Sequence, residues 1–297
     1  MIKKGILIEN GNWKSSKVDE LMDWLVHAAE NEGIELQRIK NDELLVIIED
    51  GQGRVDHPVL EKVDFVLFWD KDLLLARQLE AIGIRVVNSA QAIEWCDNKM
   101  KTHQVLAGAG IPMPTTVFAP FIYSNMKRSN WTYLDQVIAK LGFPMVVKEA
   151  FGSFGQQVDL VGNREELEAW VLKVNGRPHL YQKYIAESHG EDLRLNVVGG
   201  KLVAAMKRTS KTDFRANVTL GGRMEPYQAS KEEEDLAIRV SKILGLDFAG
   251  VDLLQTAEGP LVCEVNSNVH FKTLYECTGV DTAIHLMRWI KSGERIG

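Results

Sequence analysis

Gly250-Val251-Asp252-Leu253-Leu254-Gln255-Thr256-Ala257-Glu258-Gly259-Pro260-Leu261-Val262-Cys263-Glu264-Val265-Asn266 is the stretch on which the reading of this chain turns. Two apolar runs flank a turn signal, Ala257 to Pro260, and that spacing predicts a β-hairpin. Side chains alternate along a strand, so Glu264 and Asn266 share a face. If the pairing centres on Glu258, Asp252 stands opposite Glu264, with Cβ atoms about 5 Å apart. Two carboxylates so close repel, and burying them without a cation is costly. A hard divalent cation with oxygen ligands, Mg²⁺ or Mn²⁺, removes the conflict. The bland alternative is an acidic hairpin facing water. Val251, Leu253, Val262 and Val265 argue against it, because a strand apolar on both faces is buried. Cys263 is expected on the opposite face, as a small buried hydrophobe.

The rest of the chain narrows the class. At 297 residues, 45% hydrophobic and 26% charged, it has the composition of a globular protein of about two domains. A net charge of −6 with no basic tail gives no support for a nucleic-acid partner. No apolar run approaches the roughly 20 residues that span a bilayer, and the N-terminus lacks signal-peptide features, so no membrane association is expected. Cys96, Cys263 and Cys277 are scattered and odd in number, as in reduced thiols of a cytoplasmic protein.

Residues 1–96 alternate strand and helix signals: strands at Gly5–Glu9, Leu44–Ile48, Val63–Trp69 and Arg85–Asn88, helices at Val18–Asn31 and Leu73–Ile82. That alternation predicts a small parallel sheet with covering helices. A helix over Asp97–Ala109, a loop over Ala119–Thr132 and a helix over Asp135–Leu141 follow. Met145–Glu149 then leads into the glycine turn Gly152-Ser153-Phe154-Gly155. This reads either as a flap whose backbone N–H groups could close over an anion or as a plain hairpin turn. Capping boxes start helices at Asn163 and Ser230, and Asp281 caps a last helix ended by Gly293.

In order along the chain stand Lys148 on a strand, the glycine flap, Gln182-Lys183-Tyr184-Ile185, Asp192-Leu193-Arg194, Phe214-Arg215-Ala216-Asn217, and Asp252 with Glu264-Val265-Asn266. The chain so resembles the ATP-grasp superfamily, and most closely its RimK branch of amino-acid ligases, over roughly Ala90 to Lys291. The resemblance implies an α/β N-terminal domain (1–96) plus an α+β ATP-grasp unit whose two subdomains (97–181 with the flap, 182–297 with the metal site) clamp the nucleotide. It implies an ATP-dependent carboxylate–amine ligase working through an acyl phosphate. The partners implied are an amino acid, with glutamate favoured, and an acceptor that is a peptide, a protein C-terminus or a small acid. Homo-oligomers occur among such relatives.

By the same resemblance, ATP would be held by Lys99, Lys148, Gly152, Ser153, Phe154, Gly155, Gln182, Lys183, Tyr184, Ile185, Asp192 and Asn217. Arg215 and Arg208 would be catalytic, offsetting charge as the carboxylate meets the γ-phosphate. Asp252, Glu264 and Asn266 would hold two Mg²⁺ or Mn²⁺ ions. Arg194, His270 and Lys272 are candidate substrate contacts, each with an ordinary polar or salt-bridge alternative. Lys183 stands where this branch commonly has Glu. The Ser267–Lys272 segment and the flap are more similar to LysX, which couples amino acids to a carrier protein. A LysX-like ligase, an ATP-binding regulatory protein without chemistry, and a phosphotransferase remain as rivals.

Overall fold

The computed structural model describes residues 2–123, 131–152, 155–216 and 221–295. Strand β1 (Lys4–Glu9) has the buried run Ile6-Leu7-Ile8 and sits inside a parallel sheet ordered β2 (Glu35–Lys40), β1, β5 (Phe65–Phe68), β6 (Val86–Val87). A strand covered on both faces must be apolar on both, which is why this run does not alternate. Helix α1 (Ser16–Asn31) covers one face, and α2 (Leu73–Ala81), capped by Asp72, covers the other.

The strand expected near Leu44–Ile48 forms, but outside that sheet. β3 (Leu45–Glu49) pairs antiparallel with β4 (Gln52–Asp56) as a separate two-stranded sheet. The reason is the Asp50-Gly51 turn, whose φ angles of 50° and 75° are both positive. A two-residue hairpin loop that follows the strand twist needs that pair of conformations, and Asp-Gly supplies it. The helix expected over Asp97–Ala109 forms as α4 (Lys99–Gly108), capped by the Asn98 side chain, and a further helix, α3 (Ala90–Asp97), absent from the sequence expectations, ends just before it.

A second sheet runs β7 (Thr116–Phe118), β10 (His179–Lys183), β8 (Met145–Glu149), β9 (Val158–Val161), backed by α5 (Thr132–Leu141) and α6 (Arg164–Val174). β10 spans the expected subdomain boundary at 181/182, so Gln182 and Lys183 belong to a strand of this sheet. The third sheet is antiparallel: β13 (Arg223–Pro226), β12 (Lys201–Thr209), β11 (Glu191–Val198), β14 (Phe248–Thr256), β15 (Gly259–Asn266).

The two faces of the third sheet differ in chemistry. Leu193, Leu195, Val197, Val251 and Leu253 pack on α7 (Lys231–Ile243), which starts at the Ser230–Glu233 capping box. The other face carries Asp192, Arg194, Asn196 and Val198 on β11, beside Asp252, Gly250 and Phe248 on β14. Its apolar end, Val198 and Phe248, joins the core formed by α1, the first sheet and α9 (Thr282–Ser292). Its charged end turns toward the second sheet and forms the floor of a cleft. Short α8 (Lys272–Thr278), absent from the sequence expectations, links the hairpin β14–β15 to α9.

Candidate active site

The hairpin register puts Asp252 opposite Glu264 and Gly250 opposite Asn266, as the centred pairing requires. Beyond Asp252 the register slips, because Leu253 pairs with Val262 and leaves Cys263 as an extra residue. Such a bulge re-aims side chains. Cys263 consequently lines the cleft next to Glu264, with its Sγ 3.8 Å from Lys148 Nζ. The expectation that Cys263 lies on the opposite face is corrected: strict alternation does not survive the bulge. Burial raises the Cys263 thiol pKa, even with the Lys148 ammonium alongside.

The floor is a chain of ion pairs. Arg208, buried, donates to both oxygens of Asp192 at 2.6 and 2.7 Å, and its Nη2 lies 3.1 Å from Asp252 Oδ2. Arg194 grips the same Asp252 carboxylate through Nε and, at 2.7 Å, through Nη2. Burial alone would raise the Asp252 pKa, but the two guanidiniums outweigh it and hold the carboxyl below its ordinary range. The mirror effect acts on Arg208: burial would lower its pKa, and the Asp252 and Asp192 charges raise it instead. Lys99, also buried, spans the two sides, with Nζ 3.3 Å from Glu264 Oε1 and 3.0 Å from the Gly152 carbonyl of the flap.

Arg215 is a second tie across the cleft. It binds Asp213 within its own loop and donates from Nη1 to the carbonyls of Gly155, at 2.6 Å, and Val158, at 2.8 Å. Lys148, Gly155, Gln182, Lys183, Tyr184, Ile185, Asp192, Arg215, Asp252 and Glu264 thus line one cleft, as a set drawn from both sheets. Val146, Ile185 and Leu254 form apolar parts of its wall. Asn266 follows Glu264 two residues on along the same strand, half-buried.

Other candidates are placed differently. Lys272 pairs with Glu20 of α1 at 2.6 Å, so its charge is already answered away from the floor. His270 is half-buried, and burial together with Lys17 and Lys272 lowers its pKa. Ser153, Phe154 and Asn217 lie outside the described residues. Among the described residues there is no cluster of three His, Cys, Asp or Glu side chains arranged for a metal. The donor set at the hairpin is two carboxylates and an amide, and that all-oxygen set suits a small hard cation. The sequence reading also missed His103 and Thr116, which stand behind Gln182. The available signal was the four-residue spacing of Lys99 and His103, which puts both on one face of α4.

Two antiparallel sheets closing on a cleft with cations from both sides, behind an N-terminal parallel sheet, define the ATP-grasp class of fold. The chain belongs to the RimK-like ATP-grasp family, whose domain model matches residues 96–290. It is similar to beta-citrylglutamate synthase B of Danio rerio (37% identical over 265 residues, covering 84% of this chain and 64% of that protein). It is similar also to N-acetylaspartylglutamate synthase A of Homo sapiens (40% identical over 216 residues, covering 71% of this chain and 54% of that protein). The chain therefore spans less than two thirds of the length of either relative. A crystal structure of a RimK domain ATP-grasp protein from Sphaerobacter thermophilus superposes with a TM-score of 0.72 at 23% identity, covering 97% of this chain and 98% of the other. No helix among the described residues is long and apolar enough to cross a membrane.

Proposed function

We propose that this chain is an ATP-dependent carboxylate–amine ligase that makes an amide bond through an acyl phosphate, with glutamate as the amino acid. The observation that carries this reading is the register pairing of Asp252 with Glu264 on the floor of a cleft lined by Lys148 and Arg215. Both relatives named above carry glutamate in the name of their product, which favours that amino acid here. The acceptor would be a small acid, a peptide or a carrier-protein terminus, and the scattered thiols suit a cytoplasmic setting.

In this reading the nucleotide base lies against Val146, Ile185 and Leu254 along Gln182-Lys183-Tyr184-Ile185, the end of β10 and the two residues after it, with Asp192 near the ribose. Lys148 and Lys99 would face the phosphates, with Gly152 and Gly155 beside them, and Ser153 and Phe154 are proposed as further nucleotide contacts. Asp252, Glu264 and Asn266 would hold two Mg²⁺ or Mn²⁺ ions. Bound there, such ions neutralise phosphate charge and polarise the transferring phosphoryl group. Arg208 and Arg215, with Asn217, offset the negative charge that gathers when a carboxylate approaches the γ-phosphate. Arg194, against Asp252, and His270 would orient the carboxylate substrate. The ties from Lys99 to Gly152 and from Arg215 to Gly155 and Val158 draw the two sheets together, which excludes water from a reactive acyl phosphate.

The test is ADP release measured against a panel of amino acids and acceptor acids, with mass detection of the product. Glutamate-dependent ADP release with a new amide supports the reading. ATP binding with no stimulation by any amino acid points instead to a regulatory nucleotide binder.

A further inference from the structure

Behind the cleft wall, His103, Gln182 and Thr116 form a line of hydrogen bonds whose proton positions follow from chemistry. His103 is buried on α4, and its Nδ1 lies 2.8 Å from the Lys99 carbonyl oxygen. A carbonyl only accepts, so Nδ1 carries the proton. Burial, reinforced by the Lys148 charge, pushes the imidazole pKa down to about 4. The ring is then neutral near pH 7, and its Nε2 is a bare acceptor. On the far side, the Thr116 hydroxyl donates to the Pro114 carbonyl at 2.8 Å, so Thr116 Oγ1 is left to accept.

Gln182 Nε2 lies 2.9 Å from His103 Nε2 and 3.0 Å from Thr116 Oγ1. Both neighbours require a donor, and the amide nitrogen has two hydrogens to give. The reversed amide would set Oε1 against two acceptors at once. Gln182 also lines the cleft, though only 2% exposed. With both amide hydrogens committed behind it, the side chain has one group left for the cleft, the Oε1 acceptor.

We propose that His103 is a positioning residue for base recognition: together with Thr116 it locks the Gln182 amide so that a carbonyl oxygen meets the exocyclic amine of adenine. The cleft then selects 6-amino over 6-oxo purine nucleotides. A 6-oxo group would bring a second acceptor against Oε1, and a buried acceptor left without a donor is costly. The inference rests on the reading of the cleft as an ATP site, and adds to it what decides the base.

The test is calorimetric titration of the full chain with ATP and with inosine triphosphate, which differ at the 6-position and in the proton that the 6-oxo form carries on N1. The unaltered chain should prefer ATP by roughly tenfold or more. His103→Leu should lower the ratio severalfold, with inosine triphosphate affinity held or raised, because a freed amide can turn its NH₂ to the 6-oxo group, while any share of the preference set at N1 stays. Thr116→Val, a near-isosteric change, should act in the same direction and serves if His103→Leu does not fold. His103→Gln, whose Oε1 can accept from Gln182, should keep the preference. A purely structural role weakens both nucleotides alike. If the variants leave the ratio unchanged, the inference is overturned while the ATP site stands. If the unaltered chain binds neither nucleotide, the cleft reading falls and takes the inference with it.

Discussion

Two hairpins in this molecule sort their side chains in opposite ways. β14–β15 buries an acid: Asp252 is 4% exposed. β3–β4 exposes its hydrophobes: Ile48 is 81% exposed. Each has an apolar first strand ahead of a turn, so an apolar strand alone does not decide what is buried. The neighbours decide. Asp192, Asp252 and Glu264 face Arg194, Arg208 and Lys99, so each of these carboxylates under the cleft has a cation partner. β3 has no such claim on it. Its partner β4 contributes Val55 to the core over α2, while Val46 and Ile48, the register partners of Val55 and Gly53, lie on the same face farther from α2 and stay exposed.

The contrast is most sharply tested at Arg208. Arg208→Met should destabilise by about 3–5 kcal/mol, because it leaves Asp192 and the Arg194-paired Asp252 with uncompensated buried charge. Urea unfolding measures this, and a loss below about 1 kcal/mol would mean that the floor is not electrostatically closed. Next comes acid. The His103 pKa, pushed down to about 4 in the fold from 6.5, means that the unfolded chain binds a proton the folded chain refuses. Stability should fall as pH drops from about 6.5 to about 4, by roughly 3 kcal/mol relative to His103→Gln, and change little from this source above pH 7. Unfolding curves at pH 7.0 and 4.5 for both chains give the difference.

Glu264→Gln is next in size. Its carboxylate is partly exposed and, among the described residues, its one ion pair is with Lys99, so the fold should lose no more than about 1 kcal/mol. Divalent-dependent turnover should drop about 100-fold or more. Near-normal turnover in that variant would remove the metal assignment while leaving the fold assignment intact. The smallest effect is expected at the other hairpin: Ile48→Thr should shift stability by no more than about 0.5 kcal/mol and leave ADP formation unchanged. A larger shift would show that the exposed face of β3 is covered by something in solution.

Local chemistry sufficed for much of this chain. The Asp252–Glu264 pairing, the strand Met145–Glu149, the caps at Asn163, Ser230 and Asp281, and the parallel first sheet all follow from turn residues, periodicity and caps, which act over a few residues. Even the β3–β4 hairpin was announced by Asp50-Gly51, although the βα rhythm around it pointed elsewhere. Other features exist only once distant segments meet. The bulge that turns Cys263 into the cleft, Arg194 and Arg208 sharing one carboxylate, Lys272 held by Glu20, and His103 behind Gln182 join residues up to 252 positions apart. No pattern of spacing encodes which charge will find which partner, because that choice is made by desolvation and packing when the sheets close.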